Sequence, residues 1–175
     1  MVLIQCTQKL LKELPKDQED IVENFPSLLG NWHANLLQVE RKRCLLFTND
    51  ATLYSFFVPK VTKQLLKNLA SVLVINFNLN FTYEKLEKYR DKIMQRNKHI
   101  TVTKSGSRSI LGSMCNIDYL VRYFVKRHGG IEKVRLLELN SHINHIPFRF
   151  PSNDKHYYFP IELLQEKLGC EVKIS

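Results

Sequence analysis

The sequence predicts a single α+β domain over residues 1–175, with a mainly antiparallel sheet covered by about four helices. Three observations carry that prediction. A chain of 175 residues fits one domain of about 100–200 residues. Three short β-prone runs, 34–39, 44–48 and 53–58, are separated by polar stretches, Glu40-Arg41-Lys42-Arg43 and Asn49-Asp50-Ala51, which describes an antiparallel meander over 34–58. Four further stretches repeat apolar residues at helical spacing. Composition agrees, with 44% hydrophobic and 25% charged residues, and 6 Gly with 6 Pro exclude collagen-like and low-complexity chains.

Residues 2–6 are short, apolar and β-prone, and form the expected first strand. Thr7 caps a short helix carrying Leu10, Leu11 and Leu14 until Pro15. Residues 16–23 are acidic and polar and read as a solvated connection, partly helical. Pro26 and Gly30 bracket a turn, and the meander follows to Pro59. Thr62 caps a helix to about Asn76, with Leu65, Leu66, Leu69, Val72 and Leu73 on one face. A second helix is expected over 82–94, then a strand over 100–103. Residues 104–109 read as a polar loop, and Asn116 as the cap of a helix over 116–128 that Gly129-Gly130 ends. Residues 134–139 suit helix or strand, and 143–151 an irregular or extended segment. Pro160 opens a last helix over 160–168, closed by Gly169, and 172–174 suits a short edge strand. The expected helices cover one face of the sheet or its ends.

The chain carries 26 basic and 17 acidic side chains, a net charge of +9. The excess is densest from Arg96 to Arg135, where nine basic residues stand against Asp118 and Glu132. Such an excess attracts phosphate. Cys6, Cys44, Cys115 and Cys170 are far apart and form no CxxC or CxxH pair that would support a zinc finger; their even count permits two disulfides, but with no sign of secretion they are read as free, mostly buried thiols. The first residues lack a basic n-region, and the most apolar window, 69–75, is far too short to span a bilayer. A cytoplasmic protein without membrane partners is expected.

Five phrases occur in order: Cys6-Thr7-Gln8-Lys9-Leu10-Leu11, Trp32-His33-Ala34-Asn35-Leu36-Leu37, Arg41-Lys42-Arg43-Cys44-Leu45-Leu46-Phe47-Thr48-Asn49, Thr52-Leu53-Tyr54-Ser55-Phe56 and Arg108-Ser109-Ile110-Leu111-Gly112-Ser113-Met114. Together they resemble a bacterial single-domain family of unknown function, from Leu3 to the last helix. The resemblance implies a prokaryotic, intracellular protein and supplies no activity, so no catalytic residue is carried over. The family pattern runs from Gly-Ser-Met directly into Asn and Asp. Here Cys115 precedes Asn116, and Asp118 follows two residues later.

The main candidate for chemistry is the stretch 104–116. Gly106 and Gly112, four serines, Lys104 and Arg108 suit a phosphate, although the Gly-Lys-Ser/Thr ending of a Walker loop is absent. The competing reading is a solvated loop. The residues expected to contact phosphate are Lys104, Arg108, Ser109, Ser113, Arg122 and Arg127, with Arg41 and Arg43 secondary. His142, His145 and His156, with Asp154 or Glu138, lack the tight spacing of a metal site, so neither metal nor cofactor is expected. His33, His99 or His128 with Arg41, Lys104 or Arg108 would serve a metal-independent ribonuclease if they met. Cys115 as a nucleophile competes with a small buried residue. Trp32, the only tryptophan, suits a core anchor better than an exposed stacking platform. Phe148, Phe150, Tyr157, Tyr158 and Phe159 lie among Arg149, Lys155 and His156, and suit either base stacking or a self-packed loop. The leading expectation is a domain that binds RNA or DNA through its phosphate backbone. The alternatives are a toxin-like ribonuclease and a protein-partner or regulatory module with an exposed apolar patch near 148–159.

Overall fold

The computed structural model describes residues 2–15, 19–22, 25–94, 98–149 and 156–169. A six-stranded mixed sheet runs through its centre. Its strands are β1 (Val2–Cys6), β2 (Glu19–Val22), β3 (Trp32–Val39), β4 (Lys42–Asn49), β5 (Ser55–Val58) and β6 (Lys98–Lys104), in the order β2-β6-β1-β3-β4-β5. The meander is β3-β4-β5, antiparallel throughout. Pairing of β2 with β6 is also antiparallel, while β1 lies parallel to both β3 and β6. The β3–β4 hairpin turns on Glu40 and Arg41, both with positive φ (46° and 63°), as a two-residue primed turn requires.

Helices cover both faces, not one face or the ends. β3 and β4 are apolar at odd and even positions alike, as strands buried on two sides must be. Ile4, Trp32, Ala34, Leu36, Leu45, Phe47 and Phe56 point to the first face. They pack against α1 (Gln8–Leu11), α2 (Lys63–Leu66), α3 (Leu69–Tyr83), α4 (Arg90–Ile93) and a later helix, α7 (Pro160–Leu168). Leu37, Val39, Cys44, Leu46 and Phe57 point to the second face, under α5 (Arg108–Arg127) and α6 (Leu136–Asn144). A short hairpin, β7 (Phe148–Arg149) with β8 (Tyr157–Tyr158), completes the order.

Several boundaries differ from expectation. The expected helix 62–76 is two helices, and the second runs on through Tyr83. Only a 3-10 turn and the short α4 then remain of the expected helix 82–94. Residues 19–22, expected in a solvated connection, pair as a strand. α5 begins at Arg108, eight residues before the expected cap, because the Ser107 hydroxyl accepts a hydrogen bond from Ile110 N. Of residues 134–139, the last four open a helix, α6, which runs on through Asn144. α7 matches its expected bounds, and Gly169 closes it with a left-handed φ of 73°. The edge strand expected over 172–174 lies outside the described residues, as do Arg96, Phe150, Asp154, Lys155 and Cys170.

Two ionisable groups sense each other's charge, Tyr54 in the meander and Glu84 at the end of α3. Burial, and secondly the charge of Glu84, push the Tyr54 phenol well up. Burial raises the Glu84 carboxyl, against opposing effects from the Ser141 hydroxyl and His145. Folded Glu84 therefore holds its proton to higher pH than unfolded Glu84. Its contribution to stability is complete below the ordinary carboxylate range and is lost as pH rises through the raised folded value. Glu84→Gln is expected to melt above the wild type at pH 8 and with it near pH 4, measured by thermal denaturation at both. A variant that melts lower at pH 8 would contradict this.

Candidate functional site

The longest helix, α5, organises the candidate surface. Ile110, Met114, Ile117, Val121 and Val125 recur at helical spacing and anchor it to the second face. Its outer side carries Arg108, Ser109, Tyr119, Arg122, Tyr123, Lys126 and Arg127, all exposed. Asp118 is the one acidic residue of the helix, and Arg122 Nε neutralises it at 2.9 Å. Arg122 Nη1 also donates to Gln38 O at 2.9 Å, which fixes its guanidinium beside the β3–β4 hairpin. Arg127 donates to the Tyr123 hydroxyl at 3.4 Å. Lys126 and Arg127 also complement the C-terminal end of the helix dipole.

The expected phosphate residues do not form one site. Lys104 and Arg108 flank the turn into α5, and Ser109 is exposed in its first turn. Ser113 is a correction: it is buried, and its hydroxyl donates to Ser109 O. Arg122 and Arg127 lie about 20–30 Å further along the helix. Arg41 is exposed on the hairpin turn. Arg43 projects to the first face, where it pairs with Glu13 at 3.2 Å. The expected 104–109 loop is only a three-residue turn, so the basic stretch is drawn out along a helix instead of closing round one anion.

No motif in the sequence singles out Tyr119 and Tyr123. They are 72% and 49% exposed. Tyr119, Asn116 and Leu120 share a cleft of about 390 Å³ with Phe148, Arg149 and Tyr157. Arg149 stacks over the Tyr157 ring, 5.1 Å from its centroid. Among the described residues of the expected 148–159 patch, Phe148 is buried, Tyr158 and Phe159 are half-buried and Tyr157 is exposed. Exposed apolar side chains occur instead on α3, at Ile75, Leu79 and Tyr83.

The histidines separate. His33 is fully buried on β3, His99 is exposed on β6, and His128 Nδ1 pairs with Phe124 O at the far end of α5. His128 and His142 flank Phe124 in a cleft of about 230 Å³ that Arg127, Arg135 and Glu138 also line. Among the described residues no group of three or more His, Cys, Asp or Glu is placed to hold a metal ion. Cys6 and Cys44 are buried, and burial pushes the Cys6 thiol up to about 12. Cys115 is exposed on α5, against the expectation of a small buried residue. Trp32 is fully buried against Phe56 and Phe77, as a core anchor. Among the described residues no helix is long and apolar enough to cross a membrane.

No curated protein and no solved structure matches the chain. Over residues 3–163 it matches a family described as a domain of unknown function (DUF6933), and the chain belongs to that family.

Proposed function

We propose that the protein binds single-stranded nucleic acid along the outer side of α5. The observation that carries this reading is the pairing of cations with exposed tyrosines on one helix and the hairpin beside it. Arg108, Lys126 and Arg127 extend over about 30 Å and meet phosphates. Tyr119 and Tyr157 offer ring faces to bases, with Arg149 stacked between phosphate and ring chemistry. Exposed rings beside cations favour a single strand over a duplex, whose bases are already stacked.

The test is a titration of short labelled single-stranded RNA and DNA, with a duplex for comparison, at two salt concentrations. Binding of the single strands should weaken steeply with salt, by a slope of about −0.7 per phosphate neutralised. Charge reversal of Arg108, Lys126 and Arg127 together should flatten that slope by about 2, with the fold checked by circular dichroism because two of the three complement the helix dipole. Tyr119→Ala should cost about 1–3 kcal/mol with little change in slope. No binding at low salt, or equal binding by the charge-reversed variant, refutes the proposal.

A second reading, a metal-independent ribonuclease, is supported by the cleft that brings His128 and His142 together with Arg127 and Arg135. Shortening of the RNA in EDTA, abolished by His142→Ala, would favour it.

A further inference from the structure

A second cluster lies on the second face of the sheet, where β1, β3 and β6 run parallel. His33 is fully buried, and both of its ring nitrogens are engaged. Nδ1 lies 2.5 Å from Asp50 Oδ1, and Nε2 lies 2.7 Å from Ser105 Oγ. Gln5 Nε2 donates to the other Asp50 oxygen at 2.8 Å. An ionised carboxylate can only accept, so the ring proton sits on Nδ1. Nε2 then carries a free lone pair facing the Ser105 hydroxyl. Three segments distant in sequence thus give an ordered serine, histidine and aspartate relay.

From this geometry we infer that Ser105 is a nucleophile activated by His33, with Asp50 and Gln5 as positioning residues, and that the site cleaves carboxylic esters. Ser105 is half-buried, and its backbone is held by a hydrogen bond from its N–H to Cys6 O at 2.9 Å. Nothing lies within 4 Å of where a Cβ on the neighbouring Gly106 would stand, so the chain just past Ser105 is open to solvent. α5 starts three residues after Ser105. Ser107 takes the Ile110 N–H, while the N–H groups of Arg108 and Ser109 have no partner within the helix. They and the Arg108 and Lys104 cations favour negative charge developing on a substrate oxygen.

The chemistry balances without a metal or cofactor. Ser105 Oγ attacks the ester carbonyl carbon while its proton passes to His33 Nε2. The tetrahedral adduct collapses, the C–O bond to the leaving alcohol breaks, and His33 returns the proton to that alcohol. Water then attacks the acyl-serine, giving its proton to His33. The carboxylic acid leaves, and His33 reprotonates Ser105. Asp50 stays ionised throughout and holds the imidazolium.

This activity is independent of nucleic-acid binding and is tested separately. The purified protein is treated with a fluorophosphonate, which forms a bond to activated serines, and the adduct is located by mass spectrometry. Hydrolysis of p-nitrophenyl acetate is followed in parallel. Ser105 should carry the adduct, and Ser105→Ala should lose both adduct and turnover. Cys115→Ser should keep both, which removes the exposed thiol as the source. Asp50→Asn should label about 10²–10⁴-fold more slowly, because the amide no longer fixes the tautomer. No adduct on the wild type, or one undiminished in Ser105→Ala, overturns the inference. So does labelling of Asp50→Asn at the wild-type rate. A purely structural role for the buried histidine would give no adduct at all.

Discussion

Trp32→Ala is expected to lower the melting temperature by about 10 °C. Trp32 is fully buried on the first face of β3. Its ring lies 5.6 Å from Phe56 and 5.7 Å from Phe77, centroid to centroid, the latter edge-on. Truncating a buried tryptophan removes both its transfer free energy and its contacts, about 3–5 kcal/mol. In a chain of this size each kcal/mol is worth about 2–4 °C. Trp32→Phe keeps one ring and should recover most of the loss. Because Trp32 is the only tryptophan, its emission in the wild type reports this core alone. A fall of less than about 2 °C in the alanine variant would mean that the ring contributes little to the core.

The same strand shows what was legible in the sequence. Short β-prone runs parted by polar turns are a local pattern, and the meander is visible because its strands are consecutive. The parallel pairs β1–β3 and β1–β6 join segments far apart in the chain, so no local pattern announces them. Helix starts were legible where a side chain caps, as at Thr7 and Thr62. At α5 the sequence reads Asn116 as the cap, whereas Ser107 caps the helix. Packing of Ile110 and Met114 on the second face decides for the earlier cap. His33 follows Trp32 in sequence, but alternation in a strand turns it to the opposite face. Its partners Asp50 and Ser105 come from two other segments, which only the tertiary fold brings to it. The basic stretch was visible as charge, whereas the exposure of Tyr119 depends on which helix face the core takes.

Asn140→Ala and Asn144→Ala are each expected to destabilise the protein by about 2–6 kcal/mol, since each orphans a buried backbone donor and acceptor costing about 1–3 kcal/mol apiece. β5 is an edge strand, and a helix covers its open side. Asn140 Oδ1 accepts from Phe57 N at 2.8 Å, and its Nδ2 donates to Phe57 O at 3.2 Å. One turn later Asn144 repeats the pattern, accepting from Ser55 N at 2.8 Å and donating to Ser55 O at 2.7 Å. An i, i+4 pair on α6 matches alternate residues of the strand, so two side-chain amides stand where a further strand would pair. Both asparagines are buried, and water cannot replace them without opening the helix from the sheet. The alanine variants should melt about 5–15 °C lower in thermal denaturation. The double variant should also self-associate, because its uncovered edge can pair with another chain. Light scattering during the melt reads that second effect. A double variant that melts with the wild type and stays monomeric would show that the edge of β5 is satisfied in some other way.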